Sequence, residues 1–205
     1  MKKITLLLAL LTGILSCNNQ VKKSIKNSSP FKGVVDTTIK SYPVDKKPVV
    51  EIQQKWLLEF KGKSTNTLIW DERFSELEDI VIPDREVNLL GFPNTLKESF
   101  TSVIGGPPNE IKIETNKNYM VASACRQHSC SEKGFLWFDL LANKGVIAIV
   151  NHFPNKMYND TPHLYVSSKN VAAKNQLNEQ LIFEIKEWLK NEDLDIPESR
   201  WTYEF

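Results

Sequence analysis

Two cysteines, Cys125 and Cys130, bracket Arg126-Gln127-His128-Ser129, and strand-like sequence runs into the bracket and out of it. In an oxidising compartment the two thiols pair and close a tight ring. The chain-entropy gain for so small a ring is about 2 kcal/mol. Its larger effect is local, because it removes the freedom of the four residues inside. The outcome is a stiff knuckle with the imidazole of His128 near its tip, a device for presenting a side chain to something else.

The N-terminus points to that compartment. Lys2 and Lys3 form a positive region ahead of an apolar run over residues 4–15. That run is short for a membrane span and suits a secretory signal. It closes on Ile14-Leu15-Ser16-Cys17, which resembles a bacterial lipoprotein signal. The resemblance implies a signal peptide over residues 1–16 and acylation of Cys17. The competing reading is an ordinary signal peptide with a chance cysteine. Asn18, not Asp, follows Cys17, which by the same resemblance implies a periplasm-facing outer-membrane lipoprotein of the bacterial cell envelope. Each methylene of the acyl chains contributes about 0.8 kcal/mol to the anchor.

Cysteine and charge counts agree with export. Of Cys17, Cys125 and Cys130, the first is committed to lipid and the others are left for each other. Loss of Lys2 and Lys3 from the 26 basic residues leaves 24 against 25 acidic ones. So balanced a chain carries no electrostatic footprint for nucleic acid or for a polybasic membrane contact.

Residues 17–48 read as a lipid-anchored flexible tether, with Lys22, Lys23, Lys26, Lys32, Lys40, Lys46 and Lys47 among Ser, Asn, Thr and Pro. Residues 49–205 read as a single α+β domain, long enough for a core of its own. Ile52, Trp56, Leu57 and Phe60 predict a helix over 50–60, and 67–70 a short strand. Phe74, Leu77 and Val81 predict a helix stopped before Pro83. Another follows Pro93, with Asn94 as N-cap and Leu96, Phe100 and Val103 on one face. Gly105-Gly106-Pro107-Pro108-Asn109 then reads as a turn. As a phosphate loop it lacks a preceding strand and a following Lys-Ser or Lys-Thr.

From there the period becomes two. Strands are expected over 110–115, 119–124, 135–141, 146–151 and 163–167. Residues 142–145 form a hairpin turn in which Gly145 is available for positive φ. A helix over 175–190 carries Leu177, Leu181, Ile182, Ile185, Trp188 and Leu189 on one stripe. The expected fold is an antiparallel meander packed on one side by helices, with the disulfide-closed loop protruding from the sheet's end.

Ile104-Gly105-Gly106-Pro107, the run Tyr119-Met120-Val121-Ala122-Ser123-Ala124-Cys125-Arg126-Gln127-His128-Ser129-Cys130, and Phe135-Leu136-Trp137-Phe138 together resemble the inhibitor of vertebrate lysozyme family. The likeness is strong over residues 102–150, weakens towards the terminal helix and is absent before residue 49. It implies an inhibitor of C-type lysozyme in which the loop enters the active-site cleft. His128 would meet the two catalytic carboxylates, Cys125 and Cys130 clamp the loop, and Arg126 is the basic neighbour. Two positions depart from the family pattern, which has Pro before the histidine and Asp or Asn after it. Gln127 and Ser129 stand there. Losing Pro loosens the free loop, and losing the acid removes a group that could orient the imidazole.

The expected partners are therefore a C-type lysozyme or related peptidoglycan hydrolase, and the membrane through Cys17. A homodimer is left open, and no nucleic acid or cofactor is expected. The rival function is a non-enzymatic envelope lipoprotein of the same fold that binds another cell-wall hydrolase or envelope component. A metal reading of Cys125, His128 and Cys130 needs a fourth ligand and reduced thiols, which export disfavours. A redox reading lacks the Cys-x-x-Cys spacing. An enzyme reading has to recruit His152, His163 and Asp139 from separate strand regions, with no nucleophile elbow or zinc-protease helix to organise them. Trp56, Trp70, Trp137, Trp188 and Trp201 read as packing residues, not as a sugar platform.

Overall fold

The computed structural model describes residues 51–205. The expected signal peptide, Cys17 and the tether lie outside these residues.

Four short helical pieces and a ribbon precede the main sheet. Lys55–Phe60 forms a 3-10 turn, shorter than the helix expected over 50–60. Gln54 offers no side-chain cap and the first turn holds no acidic residue, so nothing extends it. The strand expected over 67–70 is instead α1 (Thr65–Ile69), started by Ser64, whose hydroxyl accepts from the amide of Asn66 at 3.3 Å. Helix α2 (Phe74–Val81) buries Phe74, Leu77 and Val81, as their spacing predicts. Strands β1 (Glu86–Val87) and β2 (Asn94–Thr95) pair in a small ribbon. Helix α3 (Leu96–Ile104) starts one residue later than expected. Thr95, not Asn94, is its cap, because Thr95 and Glu98 close a reciprocal capping box.

The main sheet holds β3 (Lys112–Glu114), β4 (Tyr119–Arg126), β5 (Ser129–Asp139), β6 (Lys144–Asn151), β7 (His163–Ser167) and β8 (Trp201–Glu204), in that order across the sheet. The first five are antiparallel neighbours, as the period-two sequence predicts. In the β5–β6 turn the positive φ falls on Asn143, while Gly145 is already in β6. Asparagine tolerates the left-handed region, so the turn does not need its glycine there.

Two features differ from the expected meander. Helix α4 (Glu179–Asn191), capped by Asn178, connects β7 to β8, and β8 pairs with β7 in parallel. The sheet is also covered on both faces, not one. Met120, Ala122, Ala124, Leu136, Phe138, Ile147 and Ile149 pack with Leu77, Val81, Phe100 and Val103 from α2 and α3. Tyr119, Phe135, Trp137, Val146, Ala148, Val150, Leu164 and Val166 face the opposite way, onto Leu181, Ile185, Trp188 and Leu189 of α4. The reason is visible in the strands: β6 reads Gly-Val-Ile-Ala-Ile-Val and buries every one of these residues, which requires cover above and below. The α+β class and the largely antiparallel sheet stand.

Polar contacts around the buried Glu184 fasten α4 to the β3–β4 edge. The Glu184 carboxylate accepts from Lys112 Nζ at 2.8 Å, Tyr119 Oη at 2.6 Å and Gln180 Nε2 at 3.1 Å. Burial pushes its pKa up, but these donors outweigh that and hold the carboxyl below its ordinary value.

Candidate functional site

The Cys125–Cys130 bracket is the tip of the β4–β5 hairpin. Its cysteines are joined, with Cα atoms 4.8 Å apart, which commits both sulfurs to each other. Cys125 is buried in the stem and Cys130 is exposed. Arg126 pairs with Ser129, leaving Gln127 and His128 as a two-residue turn, both exposed. His128 takes φ 64°, a left-handed conformation unusual for a residue with a side chain. That twist places the imidazole at the apex of the reversal, beyond the last strand pair.

The stem is irregular in an informative way. Cys125 pairs with Lys133, whereas Arg126 pairs with Ser129, so Cys130, Ser131 and Glu132 bulge from β5 with no partners in β4. The bulge turns Glu132 inwards, and its side chain is buried. Its carboxylate accepts from the hydroxyl of Ser129 and, at 3.2 Å, from that of Ser131. An acidic group therefore does attend the tip, reached through Ser129 from three residues further on. Reading the sequence alone did not single out Glu132. The available signal was the polar break Ser129-Cys130-Ser131-Glu132 ahead of an otherwise apolar strand.

On its other side the stem is held by the glycine-proline segment. The amide of Gly106 donates to the Cys125 carbonyl at 3.0 Å, that of Cys125 to the Pro107 carbonyl at 3.1 Å, and that of Asn109 to the Ser123 carbonyl at 2.9 Å. A Cβ on Gly106 would lie 2.4 Å from the Cys125 carbonyl oxygen and 2.5 Å from the Gln127 amide nitrogen. Only glycine allows this approach. The turn at 105–109 is thus the backbone splint of the hairpin.

A third brace comes from the α4 end of the second core. Lys133, paired with Cys125, reaches Glu192 at 2.7 Å, and Asn109 Nδ2 donates to Glu192 at 2.8 Å and to Ser123 Oγ at 3.0 Å. Burial pushes Glu192 up, but the Lys133 and Asn109 donors prevail and its pKa is lowered. The tip thus stands on a stem fixed by a covalent ring, a backbone splint and an ion pair, while its two apical residues are free to meet another surface.

The histidines that an enzyme reading would recruit do not join this tip group. His163 pairs across the strands with Asn151, and burial, Arg200 and His152 lower its pKa. His152 Nδ1 bonds the carbonyl of Asn159 at 3.1 Å. Asp139 accepts from the amides of Leu141 and Ala142 at the opposite end of β5, where it shapes the turn. Trp137, Trp188 and Trp201 are buried, Trp56 packs edge-on against Phe60, and Trp70 is exposed. Comparison with protein-family models, with curated proteins and with solved structures finds no match.

Proposed function

We propose that this chain is an inhibitor of a C-type lysozyme, which it blocks by inserting the Cys125–Cys130 hairpin and His128 into the active-site cleft. The observation that carries the reading is the exposed imidazole at the apex of a ring-closed, splinted two-residue turn. A retaining glycosidase holds its acid and its carboxylate about 5 Å apart. An imidazole between them can donate to one and exchange a hydrogen bond with the other. When protonated it makes charge-assisted bonds in a site closed to water. The prior rigidity of the stem lowers the entropy lost on insertion. No covalent step is involved; the inhibitor only occludes.

The setting of the function is part of the same proposal: an exported lipoprotein anchored through Cys17 and facing the periplasm, where lysozyme reaches the wall. The test is a lysozyme assay with soluble protein lacking residues 1–17. Stoichiometric slowing by wild type, and loss of most of it in His128→Ala, supports the mechanism. Equal potency of the two proteins rejects it. Binding to a different wall hydrolase with no effect on lysozyme favours the rival envelope-binding reading.

A further inference from the structure

Three of the six large apolar side chains exposed among the described residues gather at the end of the sheet that bears His128: Met157 at 74 % exposure, Tyr158 at 64 % and Phe92 at 46 %. Such clustering is how an interaction surface differs from scattered surface apolar residues. Met157 and Tyr158 belong to the β6–β7 connection, residues 152–162. Lys133 pairs with Cys125 on one side and with Val150 on the other, so this connection leaves the sheet level with the hairpin stem. Phe92 belongs to the β1–β2 connection, which abuts the same loop. A Cβ on Gly91 would lie 2.8 Å from the Phe153 ring.

The β6–β7 connection is internally braced while it shows apolar groups to water. Asn151 Oδ1 accepts from the Phe153 amide at 3.1 Å, Asn159 Oδ1 from the Thr161 amide at 2.9 Å, and the Asn159 amide donates to the His152 carbonyl at 2.7 Å. Tyr158 sits between two rings, stacked on His152 at 6.1 Å and edge-on to Phe153 at 5.6 Å. A hydrogen bond to Asp160 raises the Tyr158 pKa first, and the charge of Glu132 at the hairpin base adds to it.

Interface size adds the decisive constraint. A stable complex buries about 800 Å² on each partner, supplied by roughly 20–30 residues a side. The four residues of the tip are at most about a fifth of that number. Surface beside the hairpin has to supply the rest.

We infer that Phe92, Met157 and Tyr158 form an apolar shoulder that seats on the rim of the same hydrolase cleft that receives His128. This rests on the proposed inhibition and adds its second half: a polar plug, with an apolar seat that slows release. The seat matches a glycan-binding cleft, whose walls offer apolar and aromatic side chains for the ligand's faces.

The test measures Kd and dissociation rate against a C-type lysozyme for wild type, Phe92→Ser, Met157→Ser and Tyr158→Ser, with thermal melting of each protein alone. Phe183→Ser, at an exposed apolar site on α4, is the control. Each shoulder variant is expected to raise Kd about tenfold, chiefly through faster dissociation, with an unchanged melting temperature and complete inhibition at saturation. Shoulder variants that bind like wild type, or a control that weakens binding as much as they do, overturn the inference while leaving the plug intact. A wild type that binds no C-type lysozyme overturns the inhibition itself, and the shoulder falls with it.

Discussion

Gly106 and Cys125 lie so close that the amide of one meets the carbonyl of the other at 3.0 Å, with no room for a methyl group between the two segments. The head of the hairpin is therefore fixed by a residue nineteen positions upstream as well as by its own ring. Gly106→Ala is expected to destabilise the fold by about 1–3 kcal/mol, the usual range for forced overpacking. Amide exchange at Cys125 and Asn109, which bond across the splint, should rise more than exchange in β6. Urea unfolding and exchange mapping check both, and a variant as stable and as protected as wild type rejects the splint.

Glu132 is the acceptor for the hydroxyls of Ser129, at the end of the turn, and Ser131, in the bulge. Glu132→Ala removes this acceptor, but Ser131 is exposed and the two hydroxyls still meet at 3.2 Å, so the cost is that of a lost hydrogen bond, about 0.5–1.5 kcal/mol. Lysozyme affinity should fall along with stability, because Ser129 closes the turn that carries His128. Glu132→Gln keeps an acceptor oxygen and should lose less of both. Equal losses in the two variants would show that charge, not hydrogen bonding, sets the geometry.

His128 sits at φ 64°, where a residue with a Cβ is strained by about 1 kcal/mol relative to glycine. His128→Gly is expected to melt no lower than wild type while losing inhibition, so that stability and function move apart. His128→Ala keeps the strain and should lose inhibition without any gain in melting temperature. A clear drop in the melting temperature of the glycine variant would contradict the strain, and retained inhibition would contradict the plug.

Acid sensitivity follows from Glu184. Its folded pKa lies below the ordinary value of 4.5 because the Lys112 and Tyr119 donors outweigh burial. A depressed carboxyl pKa contributes stability that is fully present above the unfolded value and is lost as pH falls through the folded one. Stability should therefore decline below about pH 4.5. Glu184→Gln should be less stable at neutral pH and show a shallower decline in acid. Denaturant titrations across that window measure it, and parallel curves for the two proteins would remove Glu184 from the account.

Local pattern carried most of the fold. The Leu181, Ile185 and Trp188 stripe located α4, the period-two runs located β4 to β7, and Phe74, Leu77 and Val81 fixed α2. What escaped was non-local or very short. Four residues, Trp201–Glu204, pair with a strand far upstream, and no periodicity in so brief a run announces a parallel partner. The second covered face was implicit in the unbroken apolar runs of β6 and of Phe135-Leu136-Trp137-Phe138 in β5, which bury residues of both parities. At the site, Cys125, His128 and Cys130 stood out by type and spacing. Glu132 and the role of Gly106 did not, because both act through a bulge and a close backbone approach that only register reveals.

The parallel pairing of β8 with β7 also gives an expected order to the assembly of the molecule. Strands β3 to β7 meet their neighbours across short reversals, whereas β8 has to wait for the whole stretch between Ser167 and Trp201 to loop back over the sheet. Short closures are entropically cheap and fast, and long ones are late. On this ground the hairpin tip is expected to form early, and the pairing of β8 late. Pulse-labelled exchange should find β4 and β5 amides protected before those of β8; simultaneous protection would mean that the tip and the β8 pairing are born together.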